Sequence, residues 1–221
     1  MICVSSFRPL KECSPSILRN QLKARESWED AFNEIVYFGS PETALNGDTV
    51  MFIPTEQFPR IVDLVRYCAD QVDWCAIVNA DIVIRGNMRQ VQGDIMSRGG
   101  LASISRRYEF VGEDFMRAKL VDTGLDFFAA HSHVWRHAAK LIPRQYRIGH
   151  CLFDTWLLGF LATHYMPKLW DITPLRMIFH PKHEDRRPMF HIDKEQGKEQ
   201  LGRVRWPCNR LTTIRNGQYA V

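Results

Sequence analysis

Residues 75–84 read CAIVNADIVI, and this stretch decides the fold class. Two apolar runs rich in β-branched residues, which are typical of buried strands, flank a short polar break that contains Asn79 and Asp81. The break has neither glycine nor proline, so no backbone requirement accounts for it. Because a buried, unpaired carboxylate is costly, Asp81 needs a cation, a hydrogen-bond donor or solvent beside it. The stretch therefore predicts a strand that ends at a ligand site.

Strand and helix patterns alternate along the chain on both sides of this stretch. The predicted strands are 2–6, 34–38, 49–54, 74–79, 101–106 and 176–180. The predicted helices are 15–32, 57–71, 88–98, 134–141 and 154–165, the first of them capped by Ser14. This alternation is typical of a doubly wound α/β fold, in which helices flank a mostly parallel sheet. The ligand crevice of such a fold lies beyond the carboxyl ends of the strands. The polar residues at those ends are Ser5, Ser6, Asn79 and Asp81.

The composition indicates one globular domain. The chain has 221 residues, of which 45% are hydrophobic and 24% are charged. No run approaches the roughly 20 apolar residues of a membrane span, and the first residues lack a secretory pattern, so we expect a cytoplasmic protein. The six cysteines form no CxxC pair, which favours reduced thiols. A net charge of +4 fits an anionic ligand without requiring nucleic acid.

Asp81 and Asn79 are the first candidates for chemistry. A carboxylate at the carboxyl end of a strand can hold a divalent cation that neutralises a diphosphate. Asn79 can supply a second oxygen or bind a ribose. The simpler interpretation is an Asx-type turn in which Asp81 caps local backbone N–H groups. Spacing alone favours the turn.

Two further acids and an arginine are candidates. Asp126 in GLDFF (124–128) is expected to be an exposed acid in a glycine-containing turn, either an acceptor for substrate hydroxyls or a simple loop acid. Asp154 precedes a long apolar run, where it is a helix cap or a general base beside the crevice. Arg106, paired with Arg107 at a predicted strand end, binds phosphate or is a rim charge.

Histidines form two groups. The stretch MIFHPKHEDRR (177–187) offers His180 and His183, which are metal ligands or a surface pair. The stretch HSHVWRH (131–137) places His133 and His137 four residues apart, as a zinc site on a helix would. It lacks the glutamate of an HExxH motif, and a solvated helix face is the favoured interpretation.

Six stretches, taken in order, carry a resemblance to a known family. They are SSFRP (5–9), QLKARESW (21–28), VNADIVI (78–84), GLDFFAAHSHVW (124–135), YRIGHCLFDTWL (146–157) and IFHPKHED (178–185). In their order and placement the chain resembles GT-A-type glycosyltransferases, and among them a group of small bacterial and phage glycosyltransferase-like proteins. The resemblance implies that residues 1–187 form a single GT-A-like nucleotide-sugar transferase domain, Rossmann-related, with a basic C-terminal segment, 188–221, packed on it.

The resemblance also implies a donor site. Its nucleotide-sugar-binding residues would be Ser5, Ser6, Arg8, Asn79, Asp81, Arg106 and Asp126. Asp81 would bind Mn²⁺ or Mg²⁺ together with His180, or with His183 in its place. The first acid of the family's metal-binding motif is replaced by Asn79, so Asp81 would carry the metal alone among the strand-end residues. Asp154 matches the position of the catalytic base in inverting members.

The implied function is metal-dependent transfer of a sugar, with inversion, from a nucleotide-sugar donor, a UDP-sugar in first place, to an acceptor hydroxyl. The acceptor is left open between a polysaccharide, a small molecule and a hydroxymethylated DNA base. Arginines interleaved with aromatics in 203–219 give the DNA acceptor some support, but a packed or solvated tail is the favoured interpretation of this segment. Acceptor recognition is expected to use the C-terminal segment or a partner subunit, as in a homodimer. Two alternatives remain: a nucleotidyltransferase, although no glycine-rich phosphate loop follows the first strand, and a sugar-nucleotide-binding protein that has lost catalysis.

Overall fold

The computed structural model describes residues 1–7, 13–39, 50–54, 59–148, 153–182, 214–215 and 218–219. The strands are β1 (Ile2–Ser6), β2 (Glu34–Gly39), β3 (Val50–Pro54), β4 (Trp74–Val78), β5 (Val83–Ile84), β6 (Ala102–Phe110), β7 (Lys119–His131), β8 (Leu169–Asp171), β9 (Ile178–Pro181), β10 (Ile214–Arg215) and β11 (Gln218–Tyr219). The helices are α1 (Pro15–Ala31), α2 (Ile61–Asp70), α3 (Met88–Ser97), α4 (Ser132–Leu141) and α5 (Phe153–Tyr165). Short 3-10 helices, Met166–Lys168 and Thr173–Leu175, flank β8.

Nine strands form one sheet, in the order β3-β2-β1-β4-β7-β6-β9-β5, and β8 pairs with β6. The pairs among β1 to β4 are parallel, and β8 and β9 run parallel to β6. β7 lies antiparallel between β4 and β6, and β5 lies antiparallel to β9. Within this sheet, every strand except β5 and β7 therefore has its carboxyl end at the same edge, where the sequence predicts the ligand crevice.

Helices cover both faces of the sheet, and each face has its own apolar layer. Trp28 of α1 and Met88 of α3 belong to one layer, in which they are almost fully buried. Trp135 of α4, Leu157 of α5 and the apolar side of α2 belong to the other layer. The mixed α/β architecture confirms the predicted fold class. In the parts of the chain that the structure describes, no helix has the length and apolar character needed to cross a membrane.

Local signals fix where the helices start. The Oγ of Ser14 accepts the backbone N–H of Ile17 at 3.4 Å, and Pro15 occupies the first turn of α1, where its missing N–H costs nothing. Asn87 caps α3 through its Oδ1, which accepts the backbone N–H groups of the two residues that follow Met88. The Asn87 cap lets the chain turn into α3 three residues after the end of β5.

β7 departs from the sequence prediction. Instead of a turn at 124–128, these residues continue a strand of 13 residues that pairs with β4 on one side and β6 on the other. Pairing on both sides outweighs the single glycine signal, and it buries Asp126, which is only 5% exposed and not the exposed acid that the sequence predicts. β6 likewise runs to Phe110, four residues beyond its predicted end at 106.

Candidate functional site

A polar network lies at the edge of the sheet where the parallel strands end. Its members, called the edge network here, are Asn79, Asp81, Arg107, Glu109, Asp126 and His180. The first two follow β4, the next two lie on β6, and the last two come from β7 and β9. Four strands thus bring together side chains that are up to 101 positions apart in sequence (79 to 180).

Asp81 and His180 form the first half of the network. The Nε2 of His180 lies 3.2 Å from the Oδ2 of Asp81, and its Nδ1 lies 3.9 Å from the Oε1 of Glu109. Burial and, to a smaller extent, the Arg107 charge lower the pKa of His180, but the ion pair and hydrogen bond with Asp81, together with the Asp126 charge, leave it above its ordinary value. The ring is therefore held between two carboxylates, with its Nε2 directed at Asp81.

Asp126 is the centre of the second half. The side-chain amide of Asn79 donates to its Oδ1, and the guanidinium of Arg107 donates to its Oδ2 at 2.6 Å. Arg107 also lies 3.3 Å from the Oε1 of Glu109, so it bridges two acids. Burial lowers the pKa of Arg107, but the Asp126 carboxylate, together with the charges of Glu109 and Asp81, raises it above its ordinary value. The buried carboxylate has the charge-assisted donors that it requires.

Asp154 lies in the first turn of α5 and interacts with this network. Its Oδ1 accepts the backbone N–H of Thr155 at 2.7 Å, as expected for an acid at a helix N-terminus. Burial raises the pKa of Asp154 to about 6, the Asp126 charge adds to the rise, and Arg107 opposes it. A carboxyl group with this pKa changes charge near neutral pH, as a general base must.

Helix α1 fixes the loop that carries Asp81. The indole N–H of Trp28 donates to the carbonyl of Ile82 at 2.7 Å, and the Oγ of Ser27 accepts the backbone N–H of Ile84 at 2.9 Å. Trp28 is fully buried, so this contact is shielded from water. Residues 27 and 28 are the last two residues of the QLKARESW stretch. Their hydrogen bonds to the Asp81 loop give a structural reason for the position of this stretch on the first helix.

The two serines predicted at the end of β1 are both buried. Ser5 donates its hydroxyl to the carbonyl of Val78 at 2.6 Å, which ties β1 to β4, and Ser6 is the last residue of β1. A contact between Ser5 and a nucleotide would require this hydrogen bond to be exchanged. Arg8 and His183 lie outside the described residues, so their roles stay predictions.

Glu109 is a member that the sequence did not predict, and Arg107 was predicted only beside Arg106, as a phosphate-binding or rim charge. The sequence pointed instead to Arg106, whose backbone N–H donates to the Oγ1 of Thr173 at 2.9 Å, and whose role toward a donor stays a prediction. The stretch RRYEF (106–110) contains a signal for the pairing of Arg107 with Glu109, because residues two apart in a strand share a face. Extending the predicted strand to Phe110 would have placed Arg107 and Glu109 together.

Asp81 and His180 could supply one oxygen and one nitrogen ligand to a divalent cation. Mg²⁺ binds oxygen ligands at about 2.0–2.1 Å in octahedral geometry, so adjacent ligand atoms lie roughly 2.9–3.0 Å apart. The 3.2 Å between Asp81 Oδ2 and His180 Nε2 is close to that spacing, although it also suits their ion pair. Within the described ranges no group of three or more His, Cys, Asp or Glu side chains is arranged to hold a metal ion. The remaining ligand positions would fall to water or substrate.

Comparison with solved structures supports the fold. Residues 1–349 of TarS from S. aureus, in complex with UDP, superpose with a TM-score of 0.55 at 7% identity, over 82% of this chain and 60% of that one. The fold is GT-A-like. A second structure of TarS 1–349 gives a TM-score of 0.51 at 9% identity, over 81% and 60%, so this chain spans about 60% of the TarS structures.

A third solved structure aligns over a larger share of both chains, but with a lower TM-score. It is a Bacillus anthracis protein in complex with sucrose, described as a glucose-1-phosphate thymidylyltransferase, with a TM-score of 0.49 at 10% identity over 93% of this chain and 96% of that one. No protein-family model matches the chain, and no curated protein sequence matches it. The structural likeness therefore concerns the fold.

Proposed function

We propose that the protein is a metal-dependent glycosyltransferase that moves a sugar from a nucleotide-sugar donor, a UDP-sugar in first place, to an acceptor hydroxyl. The observation that carries the proposal is the edge network, in which Asp81 meets His180 where the parallel strands end. The UDP bound to TarS, a protein of similar fold, supports a uridine nucleotide as the donor's leaving group.

Asp81 and His180 would hold Mn²⁺ or Mg²⁺, with His183 as the alternative late histidine. When bound, the ion neutralises the diphosphate and stabilises the charge on the departing nucleotide. The Oε1 of Glu109 lies 3.9 Å from the other ring nitrogen of His180, which is beyond hydrogen-bond distance, so Glu109 would add negative charge beside this histidine. Ser5, Ser6, Arg8 and Arg106 retain their predicted roles toward the nucleotide.

Asp126 would accept hydrogen bonds from donor-sugar or acceptor hydroxyls. Asn79 and Arg107 each occupy one of its oxygens and fix its orientation, and each oxygen keeps a further lone pair. The guanidinium also supplies the opposite charge that a buried carboxylate requires. Sugar hydroxyls would then meet a rigid acceptor, which favours a single orientation of the ring.

Asp154 would act as the general base. It takes the proton of the acceptor hydroxyl as that oxygen forms a bond to the anomeric carbon, while the bond from this carbon to the diphosphate oxygen breaks. Attack from the opposite face inverts the configuration. With a pKa of about 6, most of Asp154 is ionised at pH 7–8 and able to take a proton.

The C-terminal segment would complete acceptor recognition. Residues 188–221 are proposed to pack on the transferase domain, and they carry the arginines and aromatics that favour an anionic acceptor such as DNA over a neutral one. A partner subunit in a homodimer is the other proposed source of acceptor contacts. Truncation after Arg187 tests the segment, because unchanged acceptor affinity would exclude it.

Thermal unfolding with a panel of nucleotide sugars tests the donor site. Each donor is added with and without Mn²⁺ to wild type, to Asp81→Ala and to a control, Asp94→Ala, whose carboxylate is exposed on α3. A ligand that binds only the folded state raises the melting temperature. We expect a metal-dependent rise with a UDP-sugar that Asp81→Ala abolishes and Asp94→Ala keeps.

The same panel separates the alternatives. A rise with a nucleoside triphosphate and a sugar phosphate, but with no nucleotide sugar, would favour a nucleotidyltransferase. Binding of a donor without turnover, across a broad set of acceptors, would favour a protein that has lost catalysis. No rise with any nucleotide would reduce Asp81 to a turn residue and remove the main support for the proposal.

A further inference from the structure

Two histidines lie together at the edge of the sheet opposite the edge network. His131 ends β7 and pairs with Trp74, the first residue of β4, whereas Asn79 follows the last residue of that strand. Five strand residues at about 3.3 Å each separate the two edges by roughly 17 Å. The histidine pair is therefore independent of the proposed donor site.

The local fold brings the two imidazoles into contact. His131 is the N-cap of α4, and its Nδ1 accepts the backbone N–H of His133 at 3.3 Å. The same Nδ1 lies 2.9 Å from the Nδ1 of His133, and the ring centroids are 4.8 Å apart. His133 is exposed and His131 is half-buried, so a solute reaches the pair without any opening of the core.

The spacing suits two ligands of one transition-metal ion. Nitrogens that each lie about 2.0–2.1 Å from a shared ion are roughly 2.9–3.4 Å apart, depending on the coordination geometry. The same distance suits an N–H···N hydrogen bond, and the one lone pair of His131 Nδ1 accepts the backbone N–H of His133. A metal ion would therefore displace one proton from the pair and replace this N-cap hydrogen bond. In the described part of the chain no third ligand of the usual types completes the set, which leaves the other positions to water.

The type of ligand selects the kind of ion. Arg136 and Lys168 are cationic neighbours of His133 and weaken the binding of any divalent cation, so the affinity must come from the two nitrogens. The guanidinium of Arg136 is tied to the carbonyl of Ala69 and the Oγ of Ser132, both at 3.0 Å. Imidazole nitrogen suits Zn²⁺, Ni²⁺ and Cu²⁺, whereas Mg²⁺ and Ca²⁺ prefer oxygen.

We propose that His131 and His133 bind one divalent transition-metal ion of the zinc, nickel and copper class. One ligand would be the last residue of β7 and the other the second residue of α4. His137 is not required, because its Nδ1 faces the Tyr165 hydroxyl at 3.1 Å, and His164 packs against the ring of His137 instead.

Calorimetric titration of the full, chelator-treated chain with Ni²⁺ tests the site. Ni²⁺ is chosen because the cysteine thiols bind it less strongly than they bind Cu²⁺. The variants are His133→Gln, at an exposed position, and His131→Asn, which keeps an N-cap side chain while removing the imidazole. His164→Gln is the control. Loss of an outer-shell partner alone weakens metal sites by about tenfold or more, so loss of a ligand should weaken Ni²⁺ binding by at least that factor.

We expect one Ni²⁺ per chain in wild type and His164→Gln, weakened binding in both other variants, and no competition from excess Mg²⁺. Imidazole nitrogen NMR signals of His131 and His133 should broaden first. Equal affinity in wild type and His133→Gln, or affinity only in the millimolar range, would overturn the proposal. So would loss of binding in His137→Gln together with its retention in His131→Asn, because the site would then be the pair one helical turn apart.

Discussion

The side-chain amide of Asn79 donates a hydrogen bond to the carboxylate of Asp126, and this bond joins the end of β4 to β7. The GT-A resemblance expects an acid where Asn79 stands. An acid there would face a buried carboxylate and repel it, whereas an amide supplies a donor. The departure from the family motif therefore has a local cause, and Asp81 is the proposed metal ligand that remains at the end of β4.

Asn79→Asp should destabilise the protein at pH 8. Two carboxylates would then share one buried site, and the lost donor costs about 1–3 kcal/mol. The loss should shrink at pH 5, because one of the two carboxyls takes up a proton. Urea unfolding at both pH values measures this loss of stability. The control is Asn87→Asp at the start of α3, because aspartate caps a helix as well as asparagine does. An equal loss at pH 5 and pH 8 would contradict the repulsion.

Arg107→Gln should lower the stability of the protein more than Asn79→Asp does, because it leaves the buried Asp126 without its cation. Breaking a buried ion pair from one side costs about 3–5 kcal/mol. The double variant Arg107→Gln with Asp126→Asn should recover part of that loss, since no charge is then left uncompensated. The control is Arg117→Gln, whose side chain is 91% exposed and should change stability little. Additive losses in the double variant would show that the two residues do not act as a pair.

The elements that the sequence predicted well carry their own local signals. β1 and α1 match to within a residue, because an apolar run and a capped, proline-started helix are legible without tertiary context. β5 and β8, with two and three residues, are too short to show a period. The sequence predicts a turn at residues 124–128 of β7, because the place of this strand between two others is decided by pairing that the local sequence does not record.

The site was predicted in parts, without its pairings. Asp81 and His180 were proposed as metal ligands, and the structure places them in contact. The attachment of Asp126 to Asn79 and Arg107 depends on the register of β4, β6 and β7, which hydrophobic periodicity leaves undetermined. The sequence can thus identify individual residues with a chemical role, whereas their hydrogen-bond and ion-pair partners are set by the pairing of the strands.

Trp28→Phe should weaken donor binding through the Asp81 loop. It removes the indole donor to Ile82 and leaves a small cavity, together costing on the order of 2–4 kcal/mol. Trp135→Phe is the matched control, since this buried indole donates to the Cys75 carbonyl at 3.1 Å in the opposite layer. Calorimetry should show weaker Mn²⁺–UDP binding only in Trp28→Phe. Similar weakening in both variants would mean that overall stability, and not the loop, sets the affinity.

Asp154 should make the folded protein less stable as the pH rises. Folding raises its pKa from 3.8 to about 6, so the folded chain holds this proton more tightly than the unfolded chain does. Its stabilising contribution is complete below about pH 4 and is lost as the pH rises through about 6. Asp154→Asn, which keeps an oxygen for the Thr155 N–H, should therefore raise the melting temperature at pH 8 by a few degrees. Asp94→Asn, at an exposed position on α3, should not.

The same carboxyl group should set the pH dependence of catalysis. If Asp154 is the base, kcat/KM rises with pH and levels off above a midpoint near 6, because only the ionised form takes the acceptor's proton. Asp154→Asn should lower kcat by a factor of about 100 or more while leaving the affinity for Mn²⁺–UDP unchanged. Arg107 opposes the rise in this pKa, so a conservative Arg107→Lys should move the midpoint upward if the ammonium reaches Asp126 less well. A variant Asp154→Asn that loses donor affinity and kcat together would instead identify Asp154 as part of the donor site, and the base would have to be sought elsewhere.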